Sequence, residues 1–561
     1  MTNQAIIDLV AICAKKGIEN AILSPGSRCA PLTLAFARHP EIHARTISDE
    51  RSAAFIALGM AQKLNQPVVL VCTSGSAALN YYPAIAEAYF QEVPLLVLTA
   101  DRPPEWIDQW DGQTIYQQEV YGKHVKKSFQ FPDSLNSPDQ VWYAHRIVNE
   151  AINLAKSGPA GPVHINIPLR EPFYPKKGES FLPSEELHIV HPHVACKQLT
   201  HDSLEQLKAK LAQVNRLVII PGQQKPNPKI KKLLKQLALQ KKVVTITDTI
   251  SNLSFEESIS FHDHWLGNGK ISEGLAPDLI LTFGKSLISK PLKQFLRRNP
   301  LSHWHIQAYE GTRDPFQHLT RHLDCDPLYF LEWLVDHMPT MDESYYSRWQ
   351  ALEIKVKENL SEILQNVEFG EYQALQQVIR HIPENSKIHL ANSMPVRYMN
   401  FLGKINQEIS CNRGTSGIDG TNSTAVGCAF TTKEPVTIIT GDMAFFYDRN
   451  AFWHNYSLAN LRIILLNNHA GGIFRLIDGP KEQPELEEFF ETKQTLNGQF
   501  LAKEFGFGYS LVTQANELES QIKELFAPGM KAKILEIQSE SPKNAEILAV
   551  VKEKIKLLLE E

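Results

Sequence analysis

Two short polar stretches that follow apolar runs carry the clearest chemistry in the 561-residue sequence. Gly441-Asp442 follows the run Val436–Thr440, and Asn467-Asn468 follows the run Ile463–Leu466. Short apolar runs of this kind predict buried parallel strands, whose carboxyl ends meet at the ligand-binding edge of a sheet. Asp442, Asn468 and a nearby backbone carbonyl are hard oxygen donors, which hold Mg²⁺ against phosphate oxygens. The pattern therefore predicts a diphosphate and metal site.

The segment between these stretches has the length of a helix, and we expect its N-terminus to face the diphosphate with free N–H groups. A lone Gly-Asp pair usually marks only the turn that ends a strand. The paired Asn residues at the end of a second strand favour the binding site.

A second candidate is Glu50, in the stretch SDERSAAFIALGMAQ. Ser48 or Asp49 is expected to cap a helix, with Glu50 in its first turn. This stretch alone favours two roles for Glu50 about equally: a structural carboxylate at the start of the helix, and a carboxylate that takes part in chemistry. Two polar segments belong at the carboxyl edge of the predicted first sheet, SPGSR (24–28) and TSGSAALN (73–80), and a Gln-rich loop, DGQTIYQQ (111–118), comes later in the same domain.

The elements that must position these residues form three sets of buried-type strands separated by helical patterns, which predicts parallel sheets wrapped by helices. The fold class is α/β, with three doubly wound parallel-sheet domains at residues 1–180, 181–344 and 345–561. A polar stretch from Glu171 to about His193 is predicted to link the first two domains. The remaining predicted strands are Ala21–Leu23, Val68–Cys72, Leu95–Thr99, Val163–Ile167, Leu217–Ile220, Val243–Thr247, Leu279–Phe283, Trp304–Ile306, Ile388–Leu390 and Ile534–Ile537.

The overall composition is that of a soluble cytoplasmic protein. The net charge of −5 and pI near 6.5 argue against a nucleic-acid partner, which would require a basic surplus. The seven cysteines are scattered singly and suggest reduced thiols rather than disulfides or a zinc site. The N-terminal stretch MTNQAIIDLVAICAKKG predicts an amphipathic helix rather than a signal peptide, and no stretch predicts a membrane span.

Five segments together resemble the SEPHCHC synthases of the menaquinone pathway, a family of thiamine diphosphate enzymes (SEPHCHC is 2-succinyl-5-enolpyruvyl-6-hydroxy-3-cyclohexene-1-carboxylate). They are SPGSRCAPLTLA, SDERSAAFIALGMA, CTSGSAALNYYPAIAEA, NRGTSGIDGTNSTAVG and the segment that begins at Gly441. The resemblance covers essentially the whole chain, and it departs at Met443, where many relatives carry Gly. It implies a transferase that uses thiamine diphosphate with Mg²⁺ or Mn²⁺. Such an enzyme decarboxylates 2-oxoglutarate and adds the four-carbon unit to isochorismate.

The resemblance also implies roles for individual residues at the cofactor. Glu50 would bond the aminopyrimidine ring and favour its imino tautomer, which removes the C2 proton of the thiazolium. Ile418 would wedge between the two rings, although on composition alone it is more often a core residue. The carbonyl of Ala470 would join Asp442 and Asn468 at the metal. The further implied cofactor contacts are Ser74, Gly75, Gly441, Met443 and Ile473.

Because both substrates are dicarboxylates, the resemblance implies a pocket with fixed cations. Lys290 matches a lysine of that pocket, but Pro291 follows it where several relatives carry Arg. Ser27, Arg28 and Gln113 would lie on the isochorismate side, Ser393, Arg397 and Arg413 would bind substrate carboxylates or hydroxyls, and Phe474 and Ile477 would form an apolar wall.

The residues alone support plainer interpretations of the same positions. An arginine in a loop is usually a solvated surface group, and Ser393 could simply cap a helix. Nothing assigns a role to His124, His454 or His469.

In the resembled superfamily the cofactor lies between the first domain of one subunit and the last domain of another, which implies a homodimer or a dimer of dimers. Two alternatives stay open. One is a different thiamine diphosphate carboligase, such as an acetohydroxyacid synthase, which would not need the arginine set. The other is a catalytically silent, ligand-sensing assembly on the same fold.

Overall fold

The computed structural model describes residues 4–193 and 195–561, and these residues form three parallel β-sheets wrapped by helices. The predicted α/β class with three doubly wound sheets is confirmed. One sheet falls within each of the three predicted domain ranges, and the domain boundaries themselves stay a prediction. None of the helices in the described ranges is both long enough and apolar enough to cross a bilayer.

The first sheet has the strand order β2-β1-β3-β4-β6-β5, with every neighbouring pair parallel. Its central strands are completely buried because their residues are almost all apolar, as in VVLVC of β3. The elements are α1 (Gln4–Lys15), β1 (Asn20–Leu23), α2 (Ala30–Arg38), β2 (His43–Thr46), α3 (Glu50–Leu64), β3 (Val68–Cys72), α4 (Ser76–Asn80), α5 (Tyr82–Gln91), β4 (Leu95–Asp101), β5 (Ser128–Gln130), α6 (Pro138–Lys156) and β6 (Pro162–Pro168).

The middle sheet has five strands in the order β11-β10-β9-β7-β8. The predicted strand Val243–Thr247 is shorter than expected, with only Val244–Thr245 in the ladder at the sheet edge. The elements are α7 (His201–Leu211), β7 (Leu217–Pro221), α8 (Pro228–Leu239), β8 (Val244–Thr245), β9 (Leu279–Phe283), α9 (Lys290–Arg298), β10 (Ser302–Ile306), β11 (Leu319–Leu323) and α10 (Pro327–His337).

The third sheet has the order β13-β12-β14-β15-β17-β16, which repeats the order of the first sheet strand for strand. The elements are α11 (Glu343–Gln365), α12 (Glu371–Ile379), β12 (Lys387–Leu390), α13 (Met394–Phe401), β13 (Glu408–Cys411), α14 (Thr421–Ala429), β14 (Val436–Gly441), α15 (Asp442–Tyr447), β15 (Leu461–Asn467), α16 (Gly498–Phe505), β16 (Gly508–Val512), α17 (Ala515–Phe526), β17 (Lys533–Gln538) and α18 (Ser541–Glu560).

The expected helix between Gly441-Asp442 and Asn467-Asn468 is much shorter than predicted. It consists of α15, which ends at Tyr447, followed by the 3₁₀ turn Arg449–Phe452. Asp448 leaves the helical conformation at this point, and its carboxylate accepts hydrogen bonds from the backbone N–H and the hydroxyl of Ser423, both at 2.7 Å. These contacts form at the point where a longer α15 would have continued.

Helices α3 and α14, which hold equivalent places in the two repeated sheets, pack directly against each other. A Cβ atom on Gly59 would lie 1.9 Å from the Thr424 carbonyl oxygen, and one on Gly427 would lie 2.0 Å from that of Ile56. Only glycine allows two backbones to approach so closely. This contact joins the first and third domains face to face within one chain.

Candidate functional site

The carboxyl ends of β14 and β15 bring Asp442 and Asn468 to one edge of the third sheet. The two strands are parallel neighbours, with Gly441 opposite Leu466. Asp442 begins α15 directly after β14, and Asn468 follows β15. The sheet therefore places the carboxylate and the carboxamide as the sequence predicts.

Contacts between backbone and side chains hold these groups together. The Ala470 N–H donates to Asn468 Oδ1 at 3.1 Å, and Asp442 also accepts a hydrogen bond from the Ala470 backbone. Gln494 Nε2 and the Met443 N–H donate to Asp442 at 2.7 and 2.9 Å. Asp442, Asn468 and Ala470 form one compact cluster, with Met443 beside it.

Asp442 is a buried carboxylate without a positive partner. Only 2 % of its surface is exposed, and burial raises its pKa to about 6. All of its hydrogen-bond donors are neutral, and no Lys, Arg or His in the described part of the chain forms an ion pair with it. A buried, uncompensated carboxylate beside amide and carbonyl oxygens fits a divalent cation. The donor set thus suits the Mg²⁺ of a bound diphosphate.

Glu371 is a neighbour of this cluster that the sequence analysis missed. It begins α12, and its Oε1 accepts a hydrogen bond from Asn468 Nδ2 at 2.6 Å. This bond uses the amide N–H₂ group and leaves Oδ1 of Asn468 as the acceptor that faces the cluster. Burial raises the pKa of Glu371 to about 7, and the nearby charge of Asp442 adds to the shift. Glu371 therefore orients Asn468.

Glu50 lies at the first position of α3, where Asp49 caps the helix by accepting a hydrogen bond from the Ser52 N–H at 3.1 Å. The capping role thus belongs to Asp49. The Glu50 carboxylate is partly exposed and forms no hydrogen bond to another described residue. Burial is the main cause that raises the pKa of Cys72, which ends β3, and the charge of Glu50 adds to this shift. Glu50 is therefore near the carboxyl edge of the first sheet and is free to bind a ligand.

The loop after β3 contributes unsatisfied polar groups at this edge. The hydroxyl oxygens of Thr73 and Ser74 are buried without a hydrogen-bond partner. Gly75 has φ +84°, and its N–H donates to Oε1 of Gln117 at 2.8 Å. A Cβ on Gly75 would lie 3.1 Å from the backbone of Gln113. This loop therefore contains buried polar groups that have no partner in the protein and are available to a ligand.

Ser27, Arg28 and Gln113 lie in loops that converge on the same edge. Ser27 and Gln113 are exposed. Arg28 is 8 % exposed, donates to the Leu169 carbonyl at 2.9 Å and lies over the ring of Phe173. Its guanidinium makes no ion pair within the described ranges, which leaves its charge for an anion.

Arg397 and Arg413 meet at the edge of the third domain, and neither is paired with a carboxylate in the part of the chain that the structure describes. Arg397 donates to the Ser393 carbonyl at 2.5 Å, and Arg413 donates to Asn392 Oδ1 at 2.9 Å. Ser393 has φ +71° and forms no side-chain capping bond. Ser393 therefore occupies the N-cap position of α13 but does not cap the helix through its side chain.

Two residues that the sequence analysis missed hold the loop 412–420, which carries Arg413. Asn392 Nδ2 donates to the carbonyls of Asn412 and Gly417 at 2.6 and 2.7 Å. Glu87, on α5 of the first domain, accepts hydrogen bonds from the Gly414 and Thr415 N–H groups at 2.8 and 2.6 Å. Glu87 lies within the segment CTSGSAALNYYPAIAEA, but the sequence marks neither residue as a contact of this loop, because these hydrogen bonds form only when the chain folds.

The predicted apolar contacts are accessible rather than buried. Ile418 is 37 % exposed, so it is not the core residue that composition alone would suggest. Ile473 and Phe474 lie on the 3₁₀ turn Gly472–Leu476, and Ile477 follows it; all three are half-buried. Lys290 is exposed at the start of α9. Asp478, which follows Ile477, has a lowered pKa mainly because Lys481 bonds to it, and the charge of Lys290 contributes a smaller part.

Apart from Lys290 in the middle domain, the predicted site residues thus form two groups, one at the edge of the first sheet and one at the edge of the third. A cavity of about 1010 Å³ at the domain junction is lined by Arg413 but by neither Glu50 nor Asp442. His124, His454 and His469, which had no predicted role, bond to Tyr82, to the Tyr456 N–H and to Gln538.

Comparisons with known proteins agree with this geometry. Residues 5–125 match the family model "Thiamine pyrophosphate enzyme, N-terminal TPP binding domain", and residues 187–390 match "Middle domain of thiamine pyrophosphate". A 2-succinyl-5-enolpyruvyl-6-hydroxy-3-cyclohexene-1-carboxylate synthase of Cytophaga hutchinsonii is 46 % identical over 98 % of this chain and 99 % of its own length. Synthases of the same name from Christiangramia forsetii and Porphyromonas gingivalis are 38 % and 35 % identical over 96 % of this chain, and over 96 % and 95 % of their own lengths.

The similarity extends over nearly the whole chain and includes both cofactor-binding edges. The chain belongs to the 2-succinyl-5-enolpyruvyl-6-hydroxy-3-cyclohexene-1-carboxylate (SEPHCHC) synthase family of thiamine diphosphate-dependent enzymes.

Proposed function

We propose that this chain is the SEPHCHC synthase of a menaquinone pathway, a transferase that uses thiamine diphosphate and Mg²⁺ or Mn²⁺. It decarboxylates 2-oxoglutarate and adds the resulting four-carbon unit to isochorismate, with release of CO₂. Family membership supports the reaction, and the uncompensated Asp442 supports the metal. The unpaired cations Arg397 and Arg413 support dicarboxylates as the substrates, because each can bind a carboxylate.

Bound thiamine diphosphate supplies the carbon nucleophile and stores the electrons that decarboxylation leaves behind. The chain's own residues bind and orient the reactants. Asp442, Asn468 and the Ala470 carbonyl would hold the metal against the diphosphate. Glu50 would keep the aminopyrimidine in the tautomer that accepts a proton, and Ile418 would fix the bent shape of the cofactor.

The substrate residues would act by charge and position. Arg397 and Arg413 are half-buried, so a carboxylate that reaches them is attracted more strongly than it would be in water. Arg28, Ser27 and Gln113 would bind isochorismate from the side of the first domain. Phe474 and Ile477 would keep water from the reacting carbons. We expect positioning and charge complementarity to contribute most of the rate.

We further propose that the working unit is a homodimer, or a dimer of dimers, in the cytoplasm. The family's arrangement of one cofactor between two subunits supports the dimer. The seven cysteines are all unpaired, which supports a reducing compartment. The domain boundaries at 180 and 344 belong to the same proposal.

The direct test supplies the purified protein with 2-oxoglutarate, isochorismate, thiamine diphosphate and Mg²⁺ and identifies the product by mass. We expect SEPHCHC, and we expect none when either substrate is left out. Product formed from pyruvate alone, with no response to isochorismate, would instead indicate an acetohydroxyacid synthase-like carboligase. Tight cofactor binding without turnover of any 2-oxo acid would indicate a ligand-sensing protein.

A further inference from the structure

Three half-buried cations at the junction of the middle and third domains have no acidic partner in the described ranges. Arg397 and Arg413 donate only to neutral oxygens, those of the Ser393 carbonyl and the Asn392 side chain. The ammonium group of Lys293, on α9, forms no hydrogen bond or ion pair with any described residue, although the backbone N–H donates to the Ser289 carbonyl. The Nε of Arg413 is likewise buried without a partner.

These cations are close enough to repel one another. Lys293 and Arg413 line the same cavity of about 1010 Å³. Burial lowers the pKa of Lys293, and the positive charges of Arg413, Arg297 and Arg397 add to the shift. Like charges in a partly desolvated site are costly unless an anion is bound among them.

The nearest acids do not fill that role, although Asp248 partly offsets the shift at Lys293. Asp248 is fully buried; it accepts from the Ile288 and Ser289 N–H groups and lies 3.3 Å from His262. Asp263 accepts hydrogen bonds from the Ser289 hydroxyl and from Asn400 Nδ2. Both carboxylates therefore fix the start of α9, and this fixes the position of Lys293.

The other cations of the cavity are already satisfied. Lys285 and Arg313 each approach Glu92 at 3.4 Å, and Arg297 donates to the Pro315 carbonyl at 2.8 Å. Lys126 donates to several backbone carbonyls. Among the described residues that line the cavity, Lys293 and Arg413 are thus the cations that remain for a ligand.

The start of α9 places two lysines on one side of the helix. Pro291 lies in the first turn, where its missing N–H leaves no hydrogen bond unmade. Lys293 follows Lys290 by three positions, so the two lysines lie on the same side of the helix. Pro291, two positions before Lys293, lies on a different side.

We propose that Lys293 is a substrate-binding residue, whose ammonium group joins Arg397 and Arg413 around one carboxylate of a dicarboxylate substrate. The inference rests on the proposed function for the identity of the substrate. The carboxylate belongs either to 2-oxoglutarate or to isochorismate, and the experiment separates the two.

The test compares the wild type with Lys293→Met, which keeps the length of the side chain but removes its charge. We expect the KM for one of the two substrates to rise about tenfold or more, with a smaller change in kcat, because one charge-assisted contact is lost. The substrate whose KM rises identifies the bound carboxylate. Lys293→Arg should restore most of the affinity. The matched control is Arg298→Met, which removes an exposed charge from the other end of α9.

A second measurement does not depend on turnover. Glutarate, a dicarboxylate without the keto group, should raise the melting temperature of the cofactor-loaded wild type more than that of Lys293→Met. Unchanged KM values for both substrates in Lys293→Met would overturn the inference, as would a fall in kcat alone. Absence of SEPHCHC from the wild type would contradict the proposed function instead, while the glutarate shift would still test Lys293.

Discussion

At the scale of single residues, Glu50 and Asp442 have separable roles because they lie at the edges of different sheets. Glu50→Gln keeps the shape of the side chain, so thiamine diphosphate should still bind, while exchange of the cofactor C2 proton should slow by about 10²- to 10⁴-fold. Asp442→Ala removes a proposed metal ligand and should abolish Mg²⁺-dependent retention of the cofactor. Exchange followed by NMR and retention followed by dialysis measure the two effects.

Arg413→Ala is the control for this pair of variants. It should raise the KM for substrate and leave exchange of the C2 proton intact. Unchanged exchange in Glu50→Gln would remove Glu50 from its role. Normal cofactor retention in Asp442→Ala would place the metal elsewhere.

His164 makes the stability of the first sheet depend on pH. It is fully buried on β6, between the hydroxyl groups of Thr99 at 2.8 Å and Ser128 at 2.9 Å, and burial lowers its pKa to about 3. Below pH 6.5 His164 is protonated in the unfolded chain but stays neutral in the folded chain. The free energy of unfolding therefore falls as the pH drops. Between pH 7.5 and 5 this effect should cost about 2 kcal/mol.

His164→Gln should be less stable than the wild type at pH 7.5, but it should lose about 2 kcal/mol less on acidification to pH 5. Equilibrium denaturation at the two pH values measures the difference. An equal loss in the two proteins would show that His164 accepts a proton in the folded state.

At the scale of elements, Glu87 on α5 connects the first domain to the loop that carries Arg413. It accepts three hydrogen bonds from that loop, including one from the Thr415 hydroxyl at 2.7 Å. Glu87→Ala should raise the KM for a dicarboxylate substrate about tenfold, because each lost bond to a charged group is worth about 1.5–3 kcal/mol and the loop can partly relax.

Steady-state kinetics test this positioning role. Glu87→Gln should restore part of the affinity, and exchange of the C2 proton should stay normal in both variants. Glu150→Ala, which removes a partly exposed carboxylate on α6 that pairs with Lys127 and Arg146, is the control. A fall in kcat with unchanged KM values would contradict the role.

The contact between α3 and α14 depends on glycine. Gly59→Ala should gain about 1 kcal/mol of helix propensity. The new Cβ would nevertheless meet the Thr424 carbonyl oxygen, and overpacking of this kind costs about 1–3 kcal/mol or more. We expect a net loss of stability in thermal unfolding. Gly267→Ala, where a Cβ meets nothing within 4 Å, should be nearly neutral. Equal stability of the two variants would contradict the close contact.

The position of a strand in its sheet decides whether the sequence predicts it. Central strands such as β3 and β9 are continuous apolar runs and are predicted to the residue. Five strands are missed, and all five lie at sheet edges, where polar residues such as those of HART in β2 can face water. The missed strands are β2, β5, β11, β13 and β16.

The same reasoning applies to the site. Asp442, Asn468 and Glu50 belong to local motifs that the sequence displays. Glu371 belongs to no such motif, and the segment that contains Glu87 does not reveal its role, because both roles arise only when folding brings distant segments together.

At the scale of the whole molecule, the repeated strand order of the first and third sheets is the feature that the sequence did not reveal. Sheet order depends on which strands pair, and many different apolar residues satisfy the same pairing. The repeat gives the two proposed cofactor-binding edges equivalent frameworks, one with Glu50 and one with Asp442. We propose that each site uses the first domain of one subunit and the third domain of its partner.

Mixed dimers made from Glu50→Gln chains and Asp442→Ala chains test this proposal most directly. The two chains are co-expressed with different affinity tags, and dimers that carry both tags are assayed for SEPHCHC synthesis. If the sites form across the subunit boundary, one of the two sites in each mixed dimer has both residues intact, and we predict about half of the wild-type activity. If each site forms within one chain, every site lacks one residue, and activity no higher than that of the single variants would contradict the account.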